Sequence, residues 1–133
     1  MSRKPVVIGI SGPSGSGKST LSAMLAETLP RCVVVNADKY YKKDLPKIVS
    51  PLDGKEYPDW NHPTSIDADG MCAELDSLCE REDVDFVIAD GAFIFCIDEV
   101  RARLDYKIFV NNERDFGDMP EKLTETLRAM REK

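Results

Sequence analysis

The feature that most constrains this chain is a glycine-rich segment lying between a short apolar run and an amphipathic one. It matches the pattern G-x-x-x-x-G-K-[ST] at Gly12, Gly17, Lys18 and Ser19. The run before it, 6–10, is apolar apart from one glycine, which is typical of a strand buried on both faces. Behind it, apolar residues recur at helical spacing until a proline. A strand, a glycine turn and a helix in this order form the setting in which the pattern binds phosphate.

Each part of this segment has an expected role toward a nucleotide. Glycines let backbone N–H groups surround a phosphate, and the positive end of the helix strengthens that anion site. Lys18 is expected to bridge the β- and γ-phosphates of ATP, and Ser19 to ligate Mg²⁺. We therefore predict ATP and Mg²⁺ as cofactors. The predicted nucleotide-binding residues are Gly12, Pro13, Ser14, Gly15, Ser16, Gly17, Lys18, Ser19 and Thr20.

Strand and helix patterns alternate along the rest of the chain. Buried strands are expected at 32–35 and 85–91, a fourth strand at 106–110, and helices from Thr64 or Ser65, over 98–104 and over 121–133. Strands separated by helices favour a parallel sheet covered on both faces. We predict one domain over 1–133 with an α/β fold: a three-layer P-loop NTPase of the nucleoside and nucleotide kinase type, with about four parallel strands.

Proline and glycine interrupt 42–63, so this segment is expected to be a loop of the functional or disordered kind. The formal net charge of −6 disfavours nucleic acid as a partner. No apolar run is long enough to span a membrane, and the first residues do not form a signal peptide, so we expect a cytoplasmic protein. The cysteines form no C-x-x-C pair and are expected to be small buried thiols.

Two aspartates follow predicted strands. Asp90 ends the third strand, where a P-loop protein needs a carboxylate near the magnesium ion. Asp38 follows the second strand, on the rim where open parallel sheets bind ligands, and could accept a proton from an attacking hydroxyl. Either aspartate could instead only open a turn. Ser19, Asp38 and Asp90 form the expected metal-binding set, and Tyr40, Tyr41 or Trp60 could stack on a flat ring.

The chain resembles the nicotinamide riboside kinase branch of the uridine kinase-like family from about 6 to 110. Besides the glycine loop, the resemblance rests on Leu29-Pro30-Arg31-Cys32, Asp38-Lys39-Tyr40-Tyr41-Lys42, Asp59-Trp60-Asn61-His62-Pro63 and Asp90-Gly91-Ala92-Phe93-Ile94-Phe95. It implies phosphoryl transfer from ATP to the 5'-hydroxyl of nicotinamide riboside, with Asp38 as the base. It also implies stacking of Trp60 on the nicotinamide. Asn61 stands where the family usually has an aspartate for the ribose hydroxyls.

Other readings stay open. Uridine-cytidine kinases have a His-Pro pair like His62-Pro63. They also carry a β-hairpin between the second helix and the third strand, and this sequence predicts no hairpin there. Members of the family continue past the fourth strand with an arginine-rich lid and a fifth strand, whereas 111–133 reads as a divergent helix after a segment without the basic run. A catalytically impaired nucleotide-binding module is therefore the second class. The fourth strand is expected to be an exposed edge, which favours a monomer or a weak homodimer.

Overall fold

The computed structural model describes residues 5–12, 17–41, 47–58, 66–110 and 119–132. Within these ranges the chain forms strands and helices in the order β1 (Val6–Ser11), α1 (Lys18–Thr28), β2 (Cys32–Asn36), β3 (Lys47–Val49), β4 (Glu56–Pro58), α2 (Ala68–Cys79), β5 (Phe86–Asp90), α3 (Asp98–Arg101), β6 (Tyr106–Phe109) and α4 (Met119–Glu132). Short 3-10 turns, Ala37–Tyr40 and Ile94–Cys96, follow β2 and β5.

The main sheet has four parallel strands in the order β2-β5-β1-β6. In its register, Asp90 lies opposite both Ile10 and Asn36. The carboxyl ends of β1, β2 and β5 therefore meet at one edge of the sheet, which we call the carboxyl edge. The predicted α/β fold with a parallel four-stranded sheet is confirmed.

Alternate side chains of the strands enter two separate cores. On one face, Ile8 and Phe86 pack with Leu21 and Leu25 of α1. On the other face, residues of α2 and α3 pack against Val7, Val35 and Val87 of the strands. These helix residues are Met71, Leu75, Leu78 and Val100. Burying one such aliphatic side chain contributes about 1.5–3 kcal/mol, so both layers of helices hold the sheet in place. The expected helices on both faces are confirmed.

Both outer strands of this sheet are less buried than the apolar runs suggested. In β2 only Val35 is buried, and Val34 is 38% exposed, because β2 is paired on one side only in the described sheet, with β5. The expectation of a fully buried second strand is wrong. Strand β6 is the other edge of the described sheet, and its Phe109 is 64% exposed. The expected exposed edge is thus present, and its pairing with a second copy stays a prediction.

Helices α2 and α3 differ from their expected bounds. Helix α2 begins at Ala68, where the Asp67 carboxylate accepts a hydrogen bond from the Gly70 N–H at 3.2 Å. The expected caps, Thr64 and Ser65, lie outside the described residues. Helix α3 ends at Arg101 rather than 104, because the N–H groups of Arg103 and Leu104 bond three residues back and tighten the chain into turns.

The segment predicted to be a loop holds a β-hairpin instead. Strands β3 and β4 pair antiparallel, with Ile48 opposite Tyr57. Each strand has three residues, too few to give an alternating apolar pattern in the sequence. Leu52, in the turn between them, is 95% exposed.

Helix α4 packs on α1, at the end of α1 opposite to Lys18. The hydroxyls of Thr28 and Thr124 lie 2.8 Å apart, and Leu127 is fully buried. The helix begins at Met119, two residues before its expected start at Glu121. In the described part of the chain, no helix has the length and apolarity needed to cross a membrane.

The cysteines are all free, but they are not uniformly buried. Cys72 is buried, Cys32 and Cys79 are half-buried and Cys96 is exposed. The expectation of four buried thiols is therefore wrong for Cys96, which lies in the 3-10 turn after β5.

Candidate nucleotide and acceptor site

The glycine loop leads into a helix whose first turn is open to a ligand. Gly17 has a φ of 97°, in the left-handed region that favours glycine, and it precedes α1 without a side-chain cap. The first N–H groups of α1 therefore have no side-chain acceptor at that position, which is the usual arrangement at an anion site. Lys18 is half-buried, whereas Ser19 and Thr20 are exposed.

Asp90 ends β5 at the carboxyl edge and is only 3% exposed. The Ser22 hydroxyl, equally buried on α1, lies 3.1 Å from Oδ2 of Asp90. Burial raises the pKa of Asp90, while the Ser22 hydroxyl and the Lys18 ammonium lower it and the Asp38 charge raises it. Lys18 and Asp38 are therefore both near enough to Asp90 to affect its pKa.

Asp38 lies in the 3-10 turn that follows β2. The Asn36 side chain caps this turn by accepting a hydrogen bond from the Asp38 N–H at 2.9 Å. The Asp38 side chain is exposed, and its charge raises the pKa of Tyr41, after the larger effect of burial on that phenol. The sequence placed Asp38 beside the end of the second strand, and the structure brings it to the carboxyl edge near Asp90.

A glycine makes room for this turn beside β5. A Cβ atom at Gly91 would lie 2.6 Å from Cβ of Ala37 and 2.7 Å from Cγ2 of Ile94. Ala37 immediately precedes Asp38, so the missing side chain at 91 allows the two aspartate-bearing segments to lie side by side. The Ser11 hydroxyl donates to the Ala92 carbonyl at 2.9 Å and fixes the chain after β5.

The two tyrosines after Asp38 are placed differently. Tyr41 is half-buried and forms a β-bridge with Ile66. Tyr40 donates its hydroxyl hydrogen bond to the carboxylate of Glu74 on α2, and Lys39 forms an ion pair with the same carboxylate at 2.9 Å. Sequence reasoning missed Glu74 and Ser22. On the sequence they are ordinary polar residues of amphipathic helices, and only the folded chain shows what they contact.

Several predicted site residues lie outside the described residues. These are Pro13, Ser14, Gly15 and Ser16 of the glycine loop and Trp60 and Asn61 of the expected acceptor site. Their roles stay predictions. The described members of the expected site come from three separate parts of the sequence: Gly12, Gly17, Lys18, Ser19 and Thr20, then Asp38 and Tyr41, then Asp90.

The oxygen ligands at this edge fit a magnesium ion. Mg²⁺ is usually bound by one or two protein oxygens together with phosphates and waters, rather than by a complete protein cage. The described residues hold no group of three or more His, Cys, Asp or Glu side chains suited to a metal. A buried carboxylate at Asp90 and a hydroxyl at Ser19, in the first turn of α1, are the ligand types such a site requires.

Comparison with known proteins identifies relatives of this chain. A uridine kinase of Leuconostoc citreum is 31% identical over 141 residues, covering 86% of this chain and 66% of that protein. The chain is similar to uridine kinases over most of its length. Uridine kinases of Chloroflexus aurantiacus and Lactobacillus helveticus are 28% and 26% identical, and no protein-family model matches. The uridine kinase-like resemblance is confirmed, but its nicotinamide riboside branch is not distinguished from the uridine kinases.

The chain spans just under two thirds of the length of these uridine kinases. Among solved structures, a molybdopterin-guanine biosynthesis protein B is 25% identical and covers 94% of this chain and 99% of its own, with a TM-score of 0.41. The assignment of the fold rests on the strand order and the two helical layers described above.

Proposed function

We propose that this chain is an ATP-dependent ribonucleoside kinase, which transfers the γ-phosphoryl group of ATP to the 5'-hydroxyl of a riboside. The observation that carries the proposal is the position of Asp90 at the carboxyl edge: it lies opposite Asn36, two residues before Asp38, and Ser22 connects it to the helix that begins at Lys18. In open parallel sheets, ligands bind at this edge. The similarity to uridine kinases supports the same reaction class.

Each residue has a separate task in such a transfer. Lys18 and the open first turn of α1 bind the phosphates of ATP. Asp90 and Ser19 would hold Mg²⁺, which supplies charge neutralisation on the phosphates when bound. Asp38 accepts the proton of the riboside 5'-hydroxyl. The 5'-oxygen forms a bond to the γ-phosphorus, and the bond between that phosphorus and the leaving oxygen of ADP breaks. The products are ADP and the riboside monophosphate.

Different observations support the two candidate acceptors. The names of the relatives favour uridine. The motifs around Asp38 and Asp90 favour nicotinamide riboside, through the resemblance described above. The sequence predicted no hairpin between α2 and β5, and residues 80–85 do join these two elements directly. However, β3 and β4 form a hairpin before α2, so the hairpin argument no longer decides between the two acceptors. We propose nicotinamide riboside and uridine as the acceptors to compare first.

An ADP-release assay with Mg²⁺-ATP tests the proposal directly. Turnover is compared for nicotinamide riboside, uridine, cytidine and no acceptor, in the wild type and in Asp38→Asn and Lys18→Ala. Asp83→Asn is the matched control, because Asp83 is exposed in the connection before β5, at the opposite edge of the sheet. We expect one riboside to stimulate turnover, and both site variants to lose on the order of 10²-fold or more of that stimulation.

The alternative outcome is equally clear. Binding of ATP without stimulation by any riboside would identify a nucleotide-binding module and remove the catalytic role of Asp38. Equal losses in Asp83→Asn and Asp38→Asn would show that the losses come from the fold rather than from the site.

A further inference from the structure

Glu74 connects α2 to the turn that carries Asp38. It is half-buried near the middle of the helix, and its carboxylate faces two consecutive residues of the turn. Tyr40 donates its hydroxyl to Oε1, and the Lys39 ammonium lies 2.9 Å from Oε1 and 3.2 Å from Oε2. One carboxylate therefore binds both side chains that directly follow Asp38.

The charges of this cluster favour the same arrangement. The Tyr40 hydroxyl holds the pKa of Glu74 below its usual value, and Lys39 lowers it further. Burial, and then the bond to Glu74, raise the pKa of Tyr40 to about 12, so the phenol remains a donor at neutral pH. The Lys39 ammonium also lies 5.5 Å from the centre of the Tyr40 ring, a distance suited to a cation–π contact.

The placement of Asp38 depends on the backbone of the turn that carries it. Among the described residues, no side chain forms a hydrogen bond or ion pair with the Asp38 carboxylate. Its position is therefore set by the backbone of the turn. At the start of the turn, the Asn36 side chain accepts a hydrogen bond from the Asp38 N–H at 2.9 Å. At its end, the Asp67 N–H donates to the Tyr40 carbonyl at 2.7 Å. Glu74 supplies the side-chain anchor between these two ends.

We propose that Glu74 is a positioning residue, which holds the Asp38 turn against α2 through Tyr40 and Lys39 without touching the acceptor. The proposal rests on the proposed function, in which Asp38 receives the proton of the riboside. A displaced base lowers the rate of transfer more than it lowers the affinity for ATP, because the phosphates bind to Lys18 and α1 rather than to this turn.

Kinetics and hydrogen exchange together test the positioning role. The variants are Glu74→Ala, Glu74→Gln, Tyr40→Phe and the double variant Tyr40→Phe/Glu74→Ala, with Glu80→Ala as the control on an exposed glutamate at the end of the same helix. The measurements are kcat and KM for the riboside, the Kd of Mg²⁺-ATP, and amide exchange over 36–41. A melting curve of each variant shows that it is folded.

Glu74→Ala is expected to lower kcat on the order of 10-fold, with an unchanged Kd for ATP and faster exchange over 36–41. Glu74→Gln keeps an acceptor for Tyr40 and is expected to retain most of the rate. Because Tyr40 and Glu74 act through one contact, the double variant is expected to lose little more than the larger single loss. A loss of kcat no larger than in Glu80→Ala, or unchanged exchange over 36–41, overturns the proposal.

The exchange experiment separates this inference from the proposed function. If no riboside stimulates turnover of the wild type, the kinase proposal fails. Faster exchange over 36–41 in Glu74→Ala, with no change in the control, then still supports the anchor, and unchanged exchange still rejects it.

Discussion

The hydroxyl of Ser22 lies 3.1 Å from Oδ2 of Asp90 and 2.9 Å from the carbonyl oxygen of Lys18. Both oxygens can accept a hydrogen bond when Asp90 is ionised. The hydroxyl has one proton, so it donates to one of them at a time. Ser22 therefore links the helix that carries Lys18 to the strand that ends at Asp90, in a buried position. This contact keeps two parts of the candidate phosphate site in register.

Replacing Ser22 with alanine removes the hydroxyl and leaves Asp90 buried without that donor. We expect Ser22→Ala to lower the free energy of unfolding by about 1–3 kcal/mol, the usual cost of an unsatisfied buried polar group. We also expect weaker binding of Mg²⁺-ATP. Urea denaturation and nucleotide titration measure the two effects, with the exposed Ser77→Ala as the control. Equal stability of the two variants would contradict this role of Ser22.

Asp90→Asn is expected to stabilise the ligand-free protein while lowering riboside-stimulated turnover. The pKa of Asp90 is raised in the folded state, chiefly by burial. A group with a raised pKa contributes stability below its unfolded pKa and loses that contribution as the pH rises through its folded pKa. Ionised Asp90 therefore costs stability at neutral pH, and its removal should add about 1 kcal/mol there.

The pH dependence of this gain provides the check. Urea denaturation of the wild type and Asp90→Asn is compared at neutral pH and near pH 4, about the usual pKa of an aspartate. The gain should shrink toward the acidic pH, because Asp90 then becomes protonated, first in the folded state, where its pKa is raised. A constant gain would show that the charge of Asp90 is not its cause.

The Tyr40–Glu74 contact should be visible in a titration of the tyrosines. The pKa of Tyr40 is raised to about 12, by burial first and then by Glu74. The stability that this group contributes is therefore present below its usual pKa of about 10 and is lost as the pH rises through its folded value. Tyr40→Phe should remove the last step in tyrosinate absorbance, and Glu74→Gln should move it to lower pH. An unchanged last step in both variants argues against the contact.

Gly91→Ala tests the close packing beside Asp90. The added Cβ would lie 2.6 Å from Cβ of Ala37, so the turn carrying Asp38 or the chain after β5 must move. We expect a loss of about 1–3 kcal/mol in the free energy of unfolding, the usual cost of overpacking. Gly54→Ala is unsuitable as a control because Gly54 has a φ of 70°. Exposed Ala73→Gly on α2 gives the baseline for a change of one methyl group.

The sheet and the two aspartates could be predicted because they depend on local patterns. The apolar runs around Ile8 and Ile88 indicated buried strands, and Asp38 and Asp90 followed from their positions at strand ends. The edge position of β2 could not be predicted in this way, because its run of valines looks the same whether one neighbour or two pair with it.

The supporting contacts were beyond the sequence patterns for a related reason. Ser22 and Asp90 are separated by 68 residues, and Tyr40 and Glu74 by 34, so no short spacing connects either pair. The hairpin at 47–58 was missed because its strands are short and bordered by proline and glycine. These features depend on how distant segments pack, which only the folded chain reveals.

The most direct test of the kinase proposal is to follow the phosphoryl group itself. The protein is incubated with Mg²⁺ and ATP labelled with heavy oxygen on the γ-phosphoryl group, and with nicotinamide riboside or uridine, and the products are analysed by mass spectrometry. The proposal predicts a riboside monophosphate that carries the label, formed by the wild type and by Asp83→Asn but not by Asp38→Asn. Labelled inorganic phosphate with no labelled riboside monophosphate, or equal product from Asp38→Asn, would contradict it.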